Sequence, residues 1–442
     1  MELPVVVVGA GPTGLAAAAH LREHGIEALV LEQGDSAGSA VTAWAHVRLF
    51  SPWSELVDPA AARLLAPLGW VSPAPDRYPT GGDWVADYLR PLAAALGPQV
   101  RYGARVTGVA RQGRDLVVDS GRDEVPLVVH VATAAGEQRI AARGLVDASG
   151  TWGRPNPLGG DGLPAAGESA AADRISYRVP DARDPAVVQR YAGRRIAVAG
   201  SGASAFTALL ALDTIAQEHP GTEVVWLLRR GLSGTTFGGG EADQLPARGA
   251  LGLRARGAVD AGRVRVVTGF RTTTVTDVGA GLTLGSAAGT TVDVDEVIAV
   301  TGFRPDLSWL SEVRLELDPV LQAPVRLAPL IDPNVHSCGS VYPHGANELA
   351  QPEGEVYLVG MKSYGRAPTF LAMTGYEQVR SVAAALAGDH EAAARVELTL
   401  PETGVCGGAG LFDEADETRA GGCCAPAGPV GVELETTSTG GR

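Results

Sequence analysis

The chain begins with β-branched apolar residues that lead into a longer apolar stretch. Residues 5–8 are all valine and predict a buried parallel strand, while residues 15–21 predict a helix. Gly25 ends that helix, and residues 26–31 predict a second strand that finishes at Glu32. The alternation predicts a βαβ unit, the building block of a parallel sheet.

The glycine pattern G-x-G-x-x-G joins the first predicted strand to the helix. In such a turn the first glycine allows a tight bend, the second lets backbone approach a pyrophosphate, and the third lets the helix pack on the strand. Glu32 lies close to the spacing at which a carboxylate accepts hydrogen bonds from ribose hydroxyls. We therefore predict a dinucleotide site, in preference to a purely structural turn, from Gly9, Gly11, Pro12, Thr13, Gly14 and Glu32.

The same pattern returns in the middle of the chain. Residues 195–199 predict a strand, residues 205–218 a helix, and residues 223–228 a second strand. Alanine replaces the third glycine, and two arginines, not a carboxylate, end the second strand. Arginine makes charged, bidentate contacts with phosphate, so this pair favours NADPH over NADH, the alternative being two solvated side chains. The residues predicted to bind this second dinucleotide are Gly200, Ser201, Gly202, Ser204, Arg229 and Arg230.

Strand and turn patterns fill the remaining segments. Short alternating stretches after residue 100 predict an antiparallel meander, and the proline- and glycine-rich residues 151–180 predict a connection between domains. The arginine-rich residues 248–256 predict loops beside the second site. Strands are expected at residues 100–109, 115–119, 126–132, 138–142, 145–150, 264–267, 291–294 and 356–362, and amphipathic helices at residues 84–96 and 369–386.

Several side chains outside these turns are of chemical interest. Residues 44–53 are rich in aromatics and either cover a flat ring system or plug into the core. His336, Cys338 and His344 lie close together, but their spacings match no metal site, so we predict none. Lys362 is the one lysine of the chain, and either adds positive charge near a bound ring or is a surface residue.

Composition narrows the class of protein. At 442 residues the chain is long enough for two or three domains. Its net charge of -14 argues against a nucleic-acid partner or an anionic membrane. We find no apolar run of roughly 20 residues and no basic segment before the first strand, so we expect a cytoplasmic protein. The four cysteines, three of them near the end, do not suit a disulfide framework.

Two dinucleotide turns, a meander and a return to the first unit resemble the two-dinucleotide-binding-domain flavoproteins over residues 1–400. The resemblance implies an α/β fold of two Rossmann-like domains, with FAD at the first turn and NADPH at the second. It divides the chain into an FAD-binding domain (1–160 and 301–400), an NADPH-binding domain (161–300) and a flexible, disordered tail (401–442). It also implies that Val106 lies against the adenine, Gly360 near the flavin, and Gly150, Thr301 and Gly302 in two crossover segments.

The subfamily is indicated by what the sequence lacks and by two segments. No C-x-x-C or C-x4-C pair exists in residues 1–400, which argues against dithiol relay chemistry. Residues 47–52 and 150–157 resemble class B flavoprotein monooxygenases, although the F-x-G-x-x-x-H motif of that class is missing near residues 172–180. Residues 150–168 and 375–406 resemble flavoproteins of bacterial arsenic-resistance systems. Thiolates suit soft arsenic, so Cys406, Cys423 and Cys424 are either metalloid ligands or exposed thiols without function.

Together these features predict an oxidoreductase in which NADPH reduces FAD and the reduced flavin, with oxygen, oxygenates a small, soft nucleophile: an arsenical, a sulfide or an amine. We name Arg48, His344 and Lys362 as candidate catalytic residues. One alternative is an NADPH-dependent reductase that passes electrons to a protein or quinone, and another is a non-catalytic metalloid sensor or carrier. The oligomeric state stays open, with a homodimer as one alternative.

Overall fold

Helices and strands alternate along the chain, and the computed structural model describes residues 2–233, 236–243, 245–334, 344–367 and 370–398. The α-helices are α1 (Pro12–Glu23), α2 (Ser39–Thr42), α3 (Trp53–Leu56), α4 (Pro59–Leu65), α5 (Gly81–Trp84), α6 (Arg90–Leu96), α7 (Pro185–Tyr191), α8 (Ala203–Glu218), α9 (Pro246–Asp260), α10 (Ala328–Ile331), α11 (Ala346–Leu349), α12 (Ala372–Leu386) and α13 (His390–Ala394). The strands are β1 (Val5–Val8), β2 (Ala28–Leu31), β3 (Val100–Arg101), β4 (Arg105–Arg111), β5 (Leu127–Thr133), β6 (Gly136–Ala142), β7 (Gly144–Asp147), β8 (Ile175–Ser176), β9 (Arg195–Ala199), β10 (Glu223–Leu227), β11 (Val264–Val267), β12 (Thr272–Asp277), β13 (Leu282–Ser286), β14 (Thr291–Val294), β15 (Glu296–Ala299) and β16 (Val356–Leu358). A π-helical turn (Val85–Leu89) joins α5 to α6, and 3₁₀ turns cover Ala66–Leu68, Gly97–Gln99, Ala172–Arg174, Gly240–Ala242, Ser308–Leu310 and Gly360–Tyr364.

A parallel sheet with the strand order β16-β7-β1-β2-β3 forms around the first strand of the chain. Val5 and Val7 point into a core shared with helices α1, α4, α6 and α12. Val6 and Val8 point to the opposite face, into a core shared with the meander β4-β5-β6. Successive side chains of a strand face opposite sides, so a strand covered on both faces is apolar at every position.

A second parallel sheet, in the order β11-β10-β9-β15-β8, repeats this arrangement. Ile196 and Val198 pack with helices α8 and α9, while Ala197 and Ala199 pack with the meander β12-β13-β14. In each half the meander is followed by one strand that pairs with the first strand of the half, β7 with β1 and β15 with β9. The predicted α/β fold with two Rossmann-like parallel sheets and an antiparallel meander is confirmed.

Two antiparallel segments connect the halves, and Asn156 is the residue that ties them together. Its side-chain amide donates to the Thr301 carbonyl oxygen at 3.0 Å, and the Thr301 hydroxyl donates to the Asn156 carbonyl oxygen at 2.8 Å. The rings of Trp152 and Phe303 lie beside this pair, tilted by 33° to each other with 5.0 Å between their centroids. The segment by which the chain leaves the first half is therefore hydrogen-bonded to the segment by which it returns.

A buried carboxylate fastens the returning chain to the first meander. Glu353 accepts from Arg111 on β4 and from Arg122 in the following loop, each at 2.7 Å, and its side chain is 1% exposed. Burial alone would raise the pKa of Glu353, but the hydrogen bonds from Arg122 and Arg111 outweigh it and hold that pKa below the usual glutamate range.

The structure corrects three local expectations. Residues 115–119 form turns, not a strand. The Arg122 guanidinium donates to the Asp115 carbonyl oxygen at 2.6 Å, and no strand of the described structure pairs with these residues. Residues 248–256 lie inside α9, not in loops: Gly249, Gly252 and Ala255 form a buried face of small residues. The strand expected over residues 100–109 divides into β3 and β4, which join different sheets.

Two further expectations concern the tail and the membrane. The predicted tail, residues 401–442, lies outside the described residues. Among the described helices, none combines the length and apolar character needed to cross a membrane.

Candidate nucleotide-binding sites

The three glycines of the first turn have the three different surroundings that a phosphate-binding turn requires. Gly9 has φ +101°, and a Cβ there would lie 2.8 Å from the Ala148 carbonyl oxygen. A Cβ on Gly14 would lie 2.0 Å from the Gly9 carbonyl oxygen, so this glycine lets α1 pack against the turn. No atom of the described residues would lie within 4 Å of a Cβ on Gly11. The backbone at Gly11 is therefore open to a ligand at the start of α1.

The start of α1 adds polarity to this opening. Pro12 occupies the first helical turn, Thr13 follows, and no side chain among the described residues caps the helix at Gly11. First-turn amides that have no partner within a helix, together with the helix dipole, favour an anion at this position. The residues present thus fit the pyrophosphate of a dinucleotide.

Glu32 closes the first turn from the end of β2. One carboxylate oxygen accepts from the Ala10 amide at 2.8 Å and the other from the Gly34 amide at 2.7 Å. Each carboxylate oxygen has a second lone pair, so these bonds leave acceptor capacity for ribose hydroxyls. Glu32 therefore has a structural role in the turn besides its predicted contact with the nucleotide.

The second turn repeats the arrangement. Gly200 has φ +135°, and a Cβ there would lie 2.4 Å from the Val300 carbonyl oxygen. A Cβ on Gly202 would have no atom of the described part of the chain within 4 Å. Ala205, at the third glycine position, is fully buried. The Trp226 indole donates to the Gly200 carbonyl oxygen at 2.7 Å and fixes the turn, a role that the sequence alone did not indicate.

The other residues predicted for the second site lie around this turn. Ser201 follows Gly200 and is half-buried, and Ser204 is exposed in the first turn of α8. Arg229 is exposed just after β10, and the adjoining Arg230 is half-buried, with its carbonyl oxygen accepting from the Gly269 amide at 3.4 Å. Their contact with a 2′-phosphate stays a prediction.

The returning chain closes on the first turn at Gly360. This glycine has φ +67°, and a Cβ on it would lie 2.9 Å from the Thr13 hydroxyl oxygen, as would one on Gly375 of α12. Gln378, fully buried on α12, accepts from the Gly360 amide at 2.7 Å. The starts of α1 and α12 therefore meet at Gly360, and Gln378 is a site residue that sequence reasoning missed.

His344 lies one side chain away from this meeting point. Its Nε2 is 2.8 Å from Gln378 Nε2, and the same Gln378 nitrogen donates to the Ser363 hydroxyl at 2.9 Å. His344 is 3% exposed, and its contact with Gln378 helps to fix the orientation of that side chain. His336 and Cys338, considered with it as metal ligands, lie outside the described residues, as do Cys406, Cys423 and Cys424.

Lys362 is fully buried, which excludes a position on the surface. Its ammonium lies 2.5 Å from Asp147 Oδ2, donates to the Ser149 hydroxyl at 3.0 Å, and stands 4.6 Å from the centre of the Trp309 ring. The positive charge is therefore balanced by Asp147 at the end of β7. Asp147 and Trp309 are partners that no sequence pattern indicated.

The aromatic segment, residues 44–53, packs against residues 77–82. The Arg48 guanidinium donates to the Tyr78 carbonyl oxygen at 2.6 Å, and Trp53 lies 1% exposed in the core. The buried His46 Nε2 and Trp53 Nε1 have no hydrogen-bond partner among the described residues. The segment is thus anchored in the core by Trp53, and its His46 and Trp53 side chains keep one buried, unpaired nitrogen each among the described residues.

The remaining predicted residues lie along the crossover and the meander. Val106 on β4 is half-buried in the cluster that contains Val8 and Leu31. Gly150 has φ +67°, and a Cβ there would lie more than 4 Å from every neighbouring atom of the described ranges. Thr301 and Gly302 are both bonded to Asn156, so their observed contacts hold the connection between the halves.

Comparison with known proteins extends this picture. The bacillithiol disulfide reductase Bdr (YpdA) from Bacillus cereus has a TM-score of 0.66 at 19% identity, covering 88% of this chain and 99% of that chain. The ornithine N-hydroxylase of Kutzneria sp. 744, whose structure holds reduced FAD, NADP+ and L-ornithine, has a TM-score of 0.56 at 17% identity, covering 88% of this chain and 100% of that chain. At such identities the likeness establishes the fold.

Sequence comparison adds a relative and a family. The indole-3-pyruvate monooxygenase YUCCA1 of Oryza sativa subsp. japonica is 40% identical over 107 residues, 24% of this chain and 24% of that protein. The match thus spans about a quarter of the relative's length. Residues 6–325, well over half of the chain, match the family described as Pyridine nucleotide-disulphide oxidoreductase. The chain belongs to this family of oxidoreductases.

Proposed function

We propose that the chain is an FAD- and NADPH-dependent monooxygenase that oxygenates a small, soft nucleophile such as an arsenical, a sulfide or an amine. Residues 1–160 and 301–400 bind FAD in this proposal, and residues 161–300 bind NADPH. The observation that carries it is the pair of matching turns, in which Gly11 and Gly202 leave open backbone at the start of a helix. Two such turns suit two dinucleotides.

The distribution of cysteines favours oxygenation over disulfide chemistry. Residues 6–325, the part that matches the family, contain no cysteine. A dithiol relay needs a thiolate that attacks a disulfide, and this region has none. The partial relative from rice is named as a monooxygenase, in agreement with this choice.

In this proposal the chain supplies binding, orientation and exclusion of water. When bound, FAD would accept a hydride from NADPH and pass electrons to oxygen. The first turns of α1 and α8 would hold the two pyrophosphates, and Gln378 would fix the backbone at Gly360. His344 and Lys362 act as positioning residues because both are buried and paired, whereas the exposed Arg48 is the predicted catalytic residue open to a substrate.

The decisive experiment begins with purification and an absorbance spectrum, followed by release and identification of the bound flavin. Rates of NADPH and NADH oxidation are then compared with arsenite, methylated arsenicals, sulfides and amines in turn. We expect NADPH oxidation that depends on one substrate, with one atom of labelled oxygen gas recovered in the product. A colourless protein that does not bind added FAD refutes the proposal.

A second candidate is an NADPH-dependent reductase that passes electrons to a quinone or protein acceptor. The match of residues 6–325 to the family of pyridine nucleotide-disulphide oxidoreductases favours it. Under anaerobic conditions this enzyme would oxidise NADPH at full rate once an acceptor is added, and no oxygen would enter any product.

A further inference from the structure

The second strand of each half is followed by a residue with the same backbone contacts but a different side chain. Glu32, the residue after β2, donates its amide to the Arg101 carbonyl oxygen at 2.9 Å. Leu228, the residue after β10, donates its amide to the Val267 carbonyl oxygen at the same distance. In each half the residue three positions after that partner donates its own amide back, at 2.8 Å. Leu228 therefore occupies in the second half the place that Glu32 occupies in the first.

This exchange of side chains concerns one backbone amide in each turn. In the first turn the amide of Ala10, the residue after Gly9, donates to the Glu32 carboxylate at 2.8 Å. Ser201 follows Gly200 in the same way, but the Leu228 side chain has no acceptor to offer. None of the hydrogen bonds within the described ranges is donated by the Ser201 amide. The second turn thus keeps a donor that the first turn uses for the protein's own carboxylate.

Trp226 fixes the direction of this donor. Its indole is fully buried and donates to the Gly200 carbonyl oxygen at 2.7 Å. The rings of Phe206 and Phe237 hold the indole, with centroids 5.9 and 5.6 Å away from it. In a planar trans peptide the carbonyl and the following N–H point in opposite directions. Because Trp226 holds the Gly200 carbonyl oxygen, the Ser201 N–H points away from the indole.

We propose that Leu228 and Trp226 set the coenzyme preference of the second site, an inference that rests on the proposed function. Leu228 supplies no carboxylate, so the Ser201 amide, which Trp226 orients, is left to donate to an oxyanion of the ligand. The 2′-phosphate of NADPH is such an oxyanion, beside the two arginines that follow β10, and NADH lacks it. A carboxylate at position 228 would instead repel that phosphate and accept from ribose hydroxyls.

The test compares the Kd values of NADPH and NADH in the wild type, Leu228→Glu and Leu228→Gln, by calorimetry. Glu32 is 8% exposed, so a buried carboxylate is accommodated at the equivalent place in the first half. Leu228→Glu should shift the ratio of the two Kd values by at least about tenfold towards NADH, because like charges then meet. Leu228→Gln has nearly the same shape without the charge and should shift it less. An unchanged ratio in Leu228→Glu overturns the role of Leu228.

Trp226→Phe tests the positioning role and needs no buried charge, so it also decides the inference if Leu228→Glu does not fold. Loss of the indole donor should weaken NADPH binding roughly two- to tenfold and NADH binding less. Trp84→Phe is the matched control: the buried Trp84 indole donates to the Leu56 carbonyl oxygen at 3.1 Å in the first half. The control should lose stability but keep its NADPH affinity. Equal effects on both coenzymes in Trp226→Phe overturn the positioning role.

Two nucleotide fragments separate this inference from the proposed function. The wild type should bind 2′,5′-ADP more tightly than 5′-AMP, and Leu228→Glu should abolish that difference. If the wild type shows the difference but oxidises no NADPH, the proposed function fails and the inference stands. If it oxidises NADPH but binds the two fragments equally well, the inference fails and the proposed function stands.

Discussion

Replacing Gly11 with alanine separates folding from cofactor binding. Gly11 has an extended backbone, φ −82° and ψ −175°, that alanine adopts without strain, and no atom of the residues that the structure describes would lie within 4 Å of the added Cβ. Because alanine has fewer conformations than glycine in the unfolded chain, Gly11→Ala should leave the free energy of unfolding unchanged or raise it by about 0.4–1 kcal/mol. Urea denaturation of the protein without FAD measures this term.

The same methyl group should obstruct FAD. It occupies the space through which a pyrophosphate approaches the backbone, so the ligand loses at least one hydrogen bond to a charged group, about 1.5–3 kcal/mol. This loss corresponds to roughly 10- to 150-fold weaker FAD binding. Titration of the apoprotein with FAD, followed by flavin fluorescence, measures the change.

Gly202→Ala is the matched control, since Gly202 has nearly the same backbone, φ −91° and ψ −177°, and the same empty surroundings. This variant should bind FAD normally and NADPH more weakly. Gly14→Ala should instead prevent correct folding, because its Cβ would stand 2.0 Å from the Gly9 carbonyl oxygen. Wild-type FAD affinity in Gly11→Ala, or equal loss of FAD in both open-turn variants, would refute the reasoning.

Three further variants test other parts of the structure. Glu353→Gln should lower the free energy of unfolding by about 3–5 kcal/mol at neutral pH, because two buried arginines lose their counter-ion. The folded pKa of Glu353 is lowered, so its contribution to stability is present above the unfolded pKa and disappears as pH falls through the folded pKa. The urea midpoints of variant and wild type should therefore converge in acid. Replacing Arg229 and Arg230 together with alanine should raise KM for NADPH and leave KM for NADH nearly unchanged, and equal effects on both coenzymes in steady-state assays would contradict a 2′-phosphate contact. Gln378→Leu leaves the buried Gly360 amide without an acceptor, which should cost about 1–3 kcal/mol and weaken FAD but not NADPH binding; calorimetry with each nucleotide checks this.

Local sequence was sufficient to predict much of the fold. Four consecutive valines indicated a strand buried on both faces, and in the structure alternate valines face helices on one side and the meander on the other. The need for glycine at these turns was equally predictable, because it arises within each turn: Gly9 and Gly200 have positive φ, and a Cβ on Gly14 would lie 2.0 Å from the Gly9 carbonyl oxygen. The apolar pattern of a strand and the glycine pattern of a turn can be recognised in the sequence because both depend on short-range geometry.

The site's supporting contacts were decided by tertiary structure. Lys362 pairs with Asp147, and Glu353 with Arg111, across more than two hundred residues, a separation at which periodicity and spacing carry no information. Arginines along residues 248–256 suggested a loop, whereas the small residues of α9 pack as one face. The sequence by itself determined where the two dinucleotide turns begin; only the folded chain decided which buried charges neutralise one another, because that depends on which distant segments the two sheets bring into contact.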